Sequence, residues 1–174
     1  MPILQAQLPR YPVQALTTLF HLQGEMEPVG PILDFLNDVN RQYLPFLNAT
    51  VCSLVPGPLG KMTHSHLVVP STEIVALYFD DPNARASIQH LRRAERCIAY
   101  LPGLVCRAEF HLGTDSRWQD MLSLLHGDYF AVTCALAFPL VALPGPFPQQ
   151  ADMLILNRLH VRMLHPDQSQ SGTT

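Results

Sequence analysis

The amino-acid sequence predicts an α+β fold made of two tandem pseudo-symmetric units. Each unit is expected to be a small antiparallel sheet or partial barrel with one short helix. Three observations carry this: the two halves match each other in order, both alternate with a period of two, and each holds one stripe at helical spacing. Residues 32–55 match 118–141 without gaps, pairing Asp34 with Asp120, Leu36 with Leu122, Tyr43 with Tyr129, Ala49 with Ala135 and Val55 with Val141. Residues 67–77 match 154–164. Phe20-His21-Leu22 recurs as Phe110-His111-Leu112, and Pro56-Gly57-Pro58 recurs as Pro144-Gly145-Pro146.

The elements follow in chain order. Residues 1–15 are proline-containing, weakly patterned, and read as an N-terminal arm. Unit 1 spans 16–79. Leu16, Thr18, Phe20, Leu22 and Gly24 fall on one face of a strand, with Thr17, His21 and Gln23 on the other. Pro31 opens a short helix, where its missing N–H costs nothing, and Ile32, Phe35, Leu36 and Val39 form its stripe. A strand is expected over 46–55, then a proline-rich loop, then strands within 66–79 broken at Pro70-Ser71-Thr72.

Residues 80–95 read as a partly helical linker, started by Asp80-Asp81-Pro82-Asn83. Unit 2 spans 96–166. It opens with a hairpin turning at Pro102-Gly103. Ser116 with Gln119 suggests a capping box, Trp118, Met121, Leu122 and Leu125 give the stripe, and Gly127 stops the helix. Strands are expected over 130–143 and 153–164, and residues 167–174 read as a disordered polar tail.

Composition bounds the function. The 174 residues suffice for one ordinary domain or two small ones. A net charge of −3 leaves no basic footprint for nucleic acid. Only 14% of residues are charged while 48% are hydrophobic, and mean hydropathy is positive. Such a chain buries surface in an oligomer or lies against something apolar. Residues 129–151 carry no charge and could span a bilayer by length. Pro139, Pro144, Pro146 and Pro148 would break that helix, so the stretch reads as a buried strand and no transmembrane segment is expected. Peripheral membrane contact stays open. The N-terminus lacks a secretory pattern. Cys52, Cys97, Cys106 and Cys134 include no C-x-x-C and read as buried free thiols of a cytoplasmic protein.

Chemistry is sparse. His64-Ser65-His66 places two rings on one strand face, but a metal needs further ligands and none lies nearby in sequence. No metal or cofactor is expected. There is no G-x-S-x-G, G-x-G-x-x-G or P-loop, so the chain reads as non-enzymatic. The candidate ligand or interface residues are the pairs matched between the halves, His21 with His111 and Asp34 with Asp120. The histidines lie on the polar faces of their strands. The aspartates lie in the first turns of the helices, where the dipole favours a carboxylate. The leading expectation is a non-enzymatic binding or assembly module, acting on a protein partner or as a homo-oligomer. The alternative is a small-ligand sensor with its pocket at the interface between the units.

Leu33-Asp34-Phe35-Leu36-Asn37, Tyr43-Leu44-Pro45-Phe46-Leu47-Asn48-Ala49 and Leu156-Asn157-Arg158 resemble a pattern of small uncharacterised bacterial domains, L-x-D-F-L-N … F-L-P-L … A … L-N-R. The resemblance covers most of residues 16–166 and implies tandem copies. It implies no activity and no catalytic residues. Unit 1 departs from it at Val69-Pro70-Ser71, where L-N-R is missing.

Overall fold

The computed structural model describes residues 8–168. Its first half runs β1 (Tyr11–Thr17), β2 (Phe20–Met26), α1 (Ile32–Leu36), β3 (Tyr43–Ser53), β4 (Met62–Pro70), a 3-10 turn (Ser71–Glu73) and β5 (Ile74–Phe79). After α2 (Pro82–Ala86), the second half runs β6 (Arg93–Leu101), β7 (Leu104–Leu112), a 3-10 turn (Trp118–Asp120), α3 (Met121–Leu124), β8 (Tyr129–Pro139), β9 (Gln150–Asn157), a 3-10 turn (Arg158–His160) and β10 (Met163–Pro166). The ten strands form one sheet in the order β10-β6-β7-β8-β9-β5-β1-β2-β3-β4, and each neighbouring pair is antiparallel.

This overturns the α+β expectation: the protein is nearly all β, and the two halves share one sheet. The expected helices shrink to single turns. In α1, Phe35 and Leu36 are buried but Val39, the next stripe position, is 90% exposed. The chain leaves the helix because Asn37 turns its carboxamide toward the backbone of Tyr129. The expected capping box is absent as well, since no side chain caps the Trp118–Asp120 turn or α3. Helical turns this short do not persist without tertiary contacts.

Tyr11–Thr17 is β1, so residues 11–15, read at sequence level as the end of an arm, belong to a strand. The Thr17 hydroxyl accepts from the N–H groups of Leu19 and Phe20, closing a turn in the middle of the alternation read as one strand. Residues 1–7 of the expected arm and 169–174 of the expected tail lie outside the described residues.

Register also revises the repeat. Leu22 stands opposite Val51 and Cys106 opposite Ala137. Val51 and Ala137 correspond in the gapless match, so Leu22 corresponds to Cys106. His21 then corresponds to Val105, and His111 to Glu27. The shared Phe-His-Leu is a coincidence of strand alternation. The bulges agree with this register, falling between Gln23 and Glu25 and between Arg107 and Glu109. Among the described residues, the two non-glycines with positive φ, Asn48 (48°) and Cys134 (50°), sit at corresponding bulge positions.

Strands 5-1-2-3-4 of each half thus lie side by side in the same order. Paired residues of an antiparallel ladder share a face. At the central β5–β9 junction, Leu77 and Ile155 belong to one core cluster, and Ala76 and Leu156 to the other. The two cores therefore lie on opposite faces of the sheet there. The core of the first half includes Tyr129, Ala131, Met153 and Ile155, which come from the back of the second half.

Candidate functional site

The β5–β9 junction is short, pairing Ala76 with Leu156 and Leu77 with Ile155, and both strands are buried along most of their length. A polar clamp reinforces it. The Asn37 carboxamide donates to the Tyr129 carbonyl at 2.9 Å and accepts from the Tyr129 N–H at 2.8 Å, in the manner of a strand neighbour. The Tyr129 hydroxyl donates to the Ser71 carbonyl at 2.6 Å. Buried Asn157 donates to the Ile74 carbonyl, and His160 Nε2 bonds the Thr72 carbonyl. Arg158 holds Asp128 and the Leu122 and Leu125 carbonyls at the end of α3. The L-N-R segment therefore reaches back to the first half through Asn157 and closes its own helix through Arg158.

The corresponding strands of the other half, β4 for β9 and β10 for β5, lie at the two ends of the sheet. Among the described residues, β4 has only β3 as a neighbour and β10 has only β6. β4 holds no Asp, Glu, Lys or Arg from Met62 to Pro70, and most of its residues are exposed. Both edges end in proline, Pro70 and Pro166, a residue that sheets tolerate at edges.

The residues predicted from sequence do not converge. His21 on β2 and His111 on β7 have four strands between them. His21 was expected to face solvent, but the loop between β8 and β9 covers it. Phe147 packs edge-on against its ring, with centres 6.2 Å apart, and a Cβ on Gly145 would lie 3.0 Å from His21 Cε1. His21 Nε2 is buried with no hydrogen-bond partner among the described residues, and burial pushes its pKa down. His111 Nδ1 bonds the Leu91 carbonyl and Nε2 meets the Thr133 hydroxyl. Its ring stacks on His90 at 4.0 Å. Burial and then the His90 charge lower its pKa, against the Leu91 carbonyl and Glu109.

Asp34 and Asp120 are exposed on separate helical turns, and neither caps its helix. His64 and His66 are exposed on the β4 edge. Among the described residues, no three His, Cys, Asp or Glu side chains are placed to hold a metal ion. All four cysteines are free. Cys97 and Cys106 are buried, with thiols pushed up to about 11 and about 12, chiefly by desolvation. Cys134, expected to be buried in an apolar strand, is exposed on its bulge.

A cavity of about 410 Å³ opens where the halves meet, lined by Asn37, Arg41, Ser71, His126, Tyr129 and Arg158 among others. None of the four predicted candidates lines it. A second, of about 440 Å³, lies beside His111. Among the described residues, no helix is long and apolar enough to cross a membrane. Comparison with family models, with curated proteins and with solved structures returns no match. Sequence reasoning missed the junction residues. Their signals were the matched tyrosines Tyr43 and Tyr129, and an Asn-Arg pair present in one half only.

Proposed function

We propose that this protein is a non-enzymatic, cytoplasmic assembly module that acts through protein–protein contact at the open edges of its sheet, with self-association the favoured form. One observation carries the reading: an uncharged, exposed edge strand nine residues long, β4. Edges are usually guarded by charge, bulges or a covering element, because unpaired backbone groups recruit another strand. Light scattering across a range of concentrations tests it. The mass should rise above that of one chain, and hydrogen exchange should slow in β4 and β10 as it does. A single-chain mass at every concentration refutes the reading.

A second reading is a small-ligand sensor using the cavity between the halves. It is supported by Arg41, which lines that cavity and whose buried Nε has no hydrogen-bond partner among the described residues. Native mass spectrometry of protein from its own cells would show a bound small molecule, lost in Arg41→Ala. A mass equal to the bare chain removes this reading.

A further inference from the structure

We propose that copies of this chain join head to tail, the β10 edge of one pairing with the β4 edge of the next in the register that joins β5 to β9 within the chain. The inference rests on the assembly reading and specifies its geometry. By the repeat, Met163 and Leu164 of β10 take the places of Ala76 and Leu77, and Val68 and Val69 of β4 take the places of Ile155 and Leu156. Between copies, Val68 then stands opposite Leu164 and Val69 opposite Met163. The volumes fit: the small–large pair Ala76–Leu156 becomes the large–small pair Met163–Val69.

Exposure differs as a missing neighbour requires at every one of these positions but Val69, which is buried like Leu156. Ile155 is 1% exposed and Val68 is 65%. Ala76 is 0% exposed and Met163 is 60%. Tyr129 is 3% exposed, whereas its identical counterpart Tyr43 is 56%. Within the chain, Tyr129 packs with Ala131, Met153 and Ile155 against the first core. The counterparts Tyr43, Pro45, His66 and Val68 form a patch on the back of β3 and β4. At the other end, Val161 and Leu164 border the second core and are only partly buried. The Tyr43 hydroxyl would meet the neighbouring copy's Arg158 carbonyl, which stands where Ser71 stands in the internal junction.

The contact is heterologous, one surface meeting a different one, so it forms a ring or an open chain. It is also weaker than the internal junction. The clamp residues Asn157 and His160 correspond to Pro70 and Glu73, which cannot repeat their bonds. Reversible assembly follows.

Two edge variants test this, Val68→Asp and Met163→Asp, both at exposed positions and each checked for unchanged thermal melting. Light scattering of wild type should give a mass of two or more chains at high concentration. Each variant alone should fall to one chain, because every junction then contains one spoiled edge. An equimolar mixture should form a two-chain species and nothing larger, since one intact β10 meets one intact β4. If Met163→Asp assembles like wild type while Val68→Asp does not, pairing is β4 to β4 and the head-to-tail proposal is wrong. If both variants assemble like wild type, or the mixture stays at one chain, the proposal fails while assembly stands. A single-chain mass for wild type overturns both, as when the edge serves a strand from a different protein.

Discussion

Asn37 offers the sharpest test of how the two halves are held. Its carboxamide makes two hydrogen bonds to the Tyr129 backbone, at 2.9 and 2.8 Å, across ninety-two residues of chain. Asn37→Ala removes both and leaves the N–H and C=O of a buried residue to find water. With a net worth of about 1 kcal/mol per bond and a further cost for an orphaned buried group, the loss is about 2–3 kcal/mol for this part-buried pair. That is a large share of a stability of about 5–15 kcal/mol. Gly127 supplies the control, because a Cβ there would run into the Asn37 carboxamide. Gly127→Ala should therefore cost a similar amount by displacing Asn37, yet cost little on the Asn37→Ala background, where the space is empty. Urea unfolding of the four proteins gives the coupling, expected at about 1–3 kcal/mol. Additive losses, or an Asn37→Ala loss below about 0.5 kcal/mol, would show that the clamp does not hold the junction.

Three further predictions follow from single sites. Wild-type melting temperature should fall as pH drops below about 6.5, because the unfolded chain takes up protons that buried His21 and half-buried His111 resist. His21→Leu should flatten part of that slope without loss at neutral pH, since His21 Nε2 is already unpartnered; a steeper slope would count against it. Iodoacetamide on the native protein at neutral pH should label exposed Cys134 and spare Cys97 and Cys106, read by peptide mass spectrometry. Arg158→Lys should cost about 1 kcal/mol in thermal or urea unfolding, because lysine cannot span Asp128 and the two α3 carbonyls at once; an unchanged midpoint would dismiss the cap.

The strands were legible where alternation is clean, as in Leu104–Leu112, whose buried and half-buried residues alternate along its whole length. The turn at Pro102-Gly103 was legible too, and Gly103 takes the expected positive φ of 70°. The helices were over-read because an apolar stripe at spacing three and four does not say how far the helix continues, and the fourth stripe residue of the first, Val39, is exposed. Asn37 ends α1 through a contact with residue 129, which local sequence cannot show. The Phe-His-Leu match misled for a related reason. In a strand, any two apolar residues flanking a polar one look alike, so only the ladder distinguishes registers, and here the ladder pairs Leu22 with Val51. Tyr43 and Tyr129 were visible as a matched pair, but one is buried and the other exposed, and sequence alone cannot say which end of a sheet a strand occupies.

The two cores lying on opposite faces explain why this sheet does not close on itself. At the junction each half completes its core with the back of the other: the first core takes in Tyr129, Ala131, Met153 and Ile155, and the second takes in Leu16 and Ala76. The junction joins two different strands, β5 and β9, so it has a direction, and two units leave the β10 and β4 edges unused. Hydrophobic burial favours filling both, and the apolar side chains Val68 and Met163 match that demand. What separates the internal junction from the ends is polar: Asn157 and His160 appear once, and Pro70 and Glu73 stand in the corresponding places. The apolar half of the junction and its tyrosine hydroxyl are thus repeated, while the hydrogen bonds of Asn157 and His160 are not. A contact that keeps shape complementarity but lacks buried polar partners dissociates more readily than the internal one. Installing the missing amide, Pro70→Asn, should therefore strengthen assembly rather than folding. In light scattering, its association should set in at lower concentration than that of wild type, with no matching rise in the melting temperature of the isolated chain.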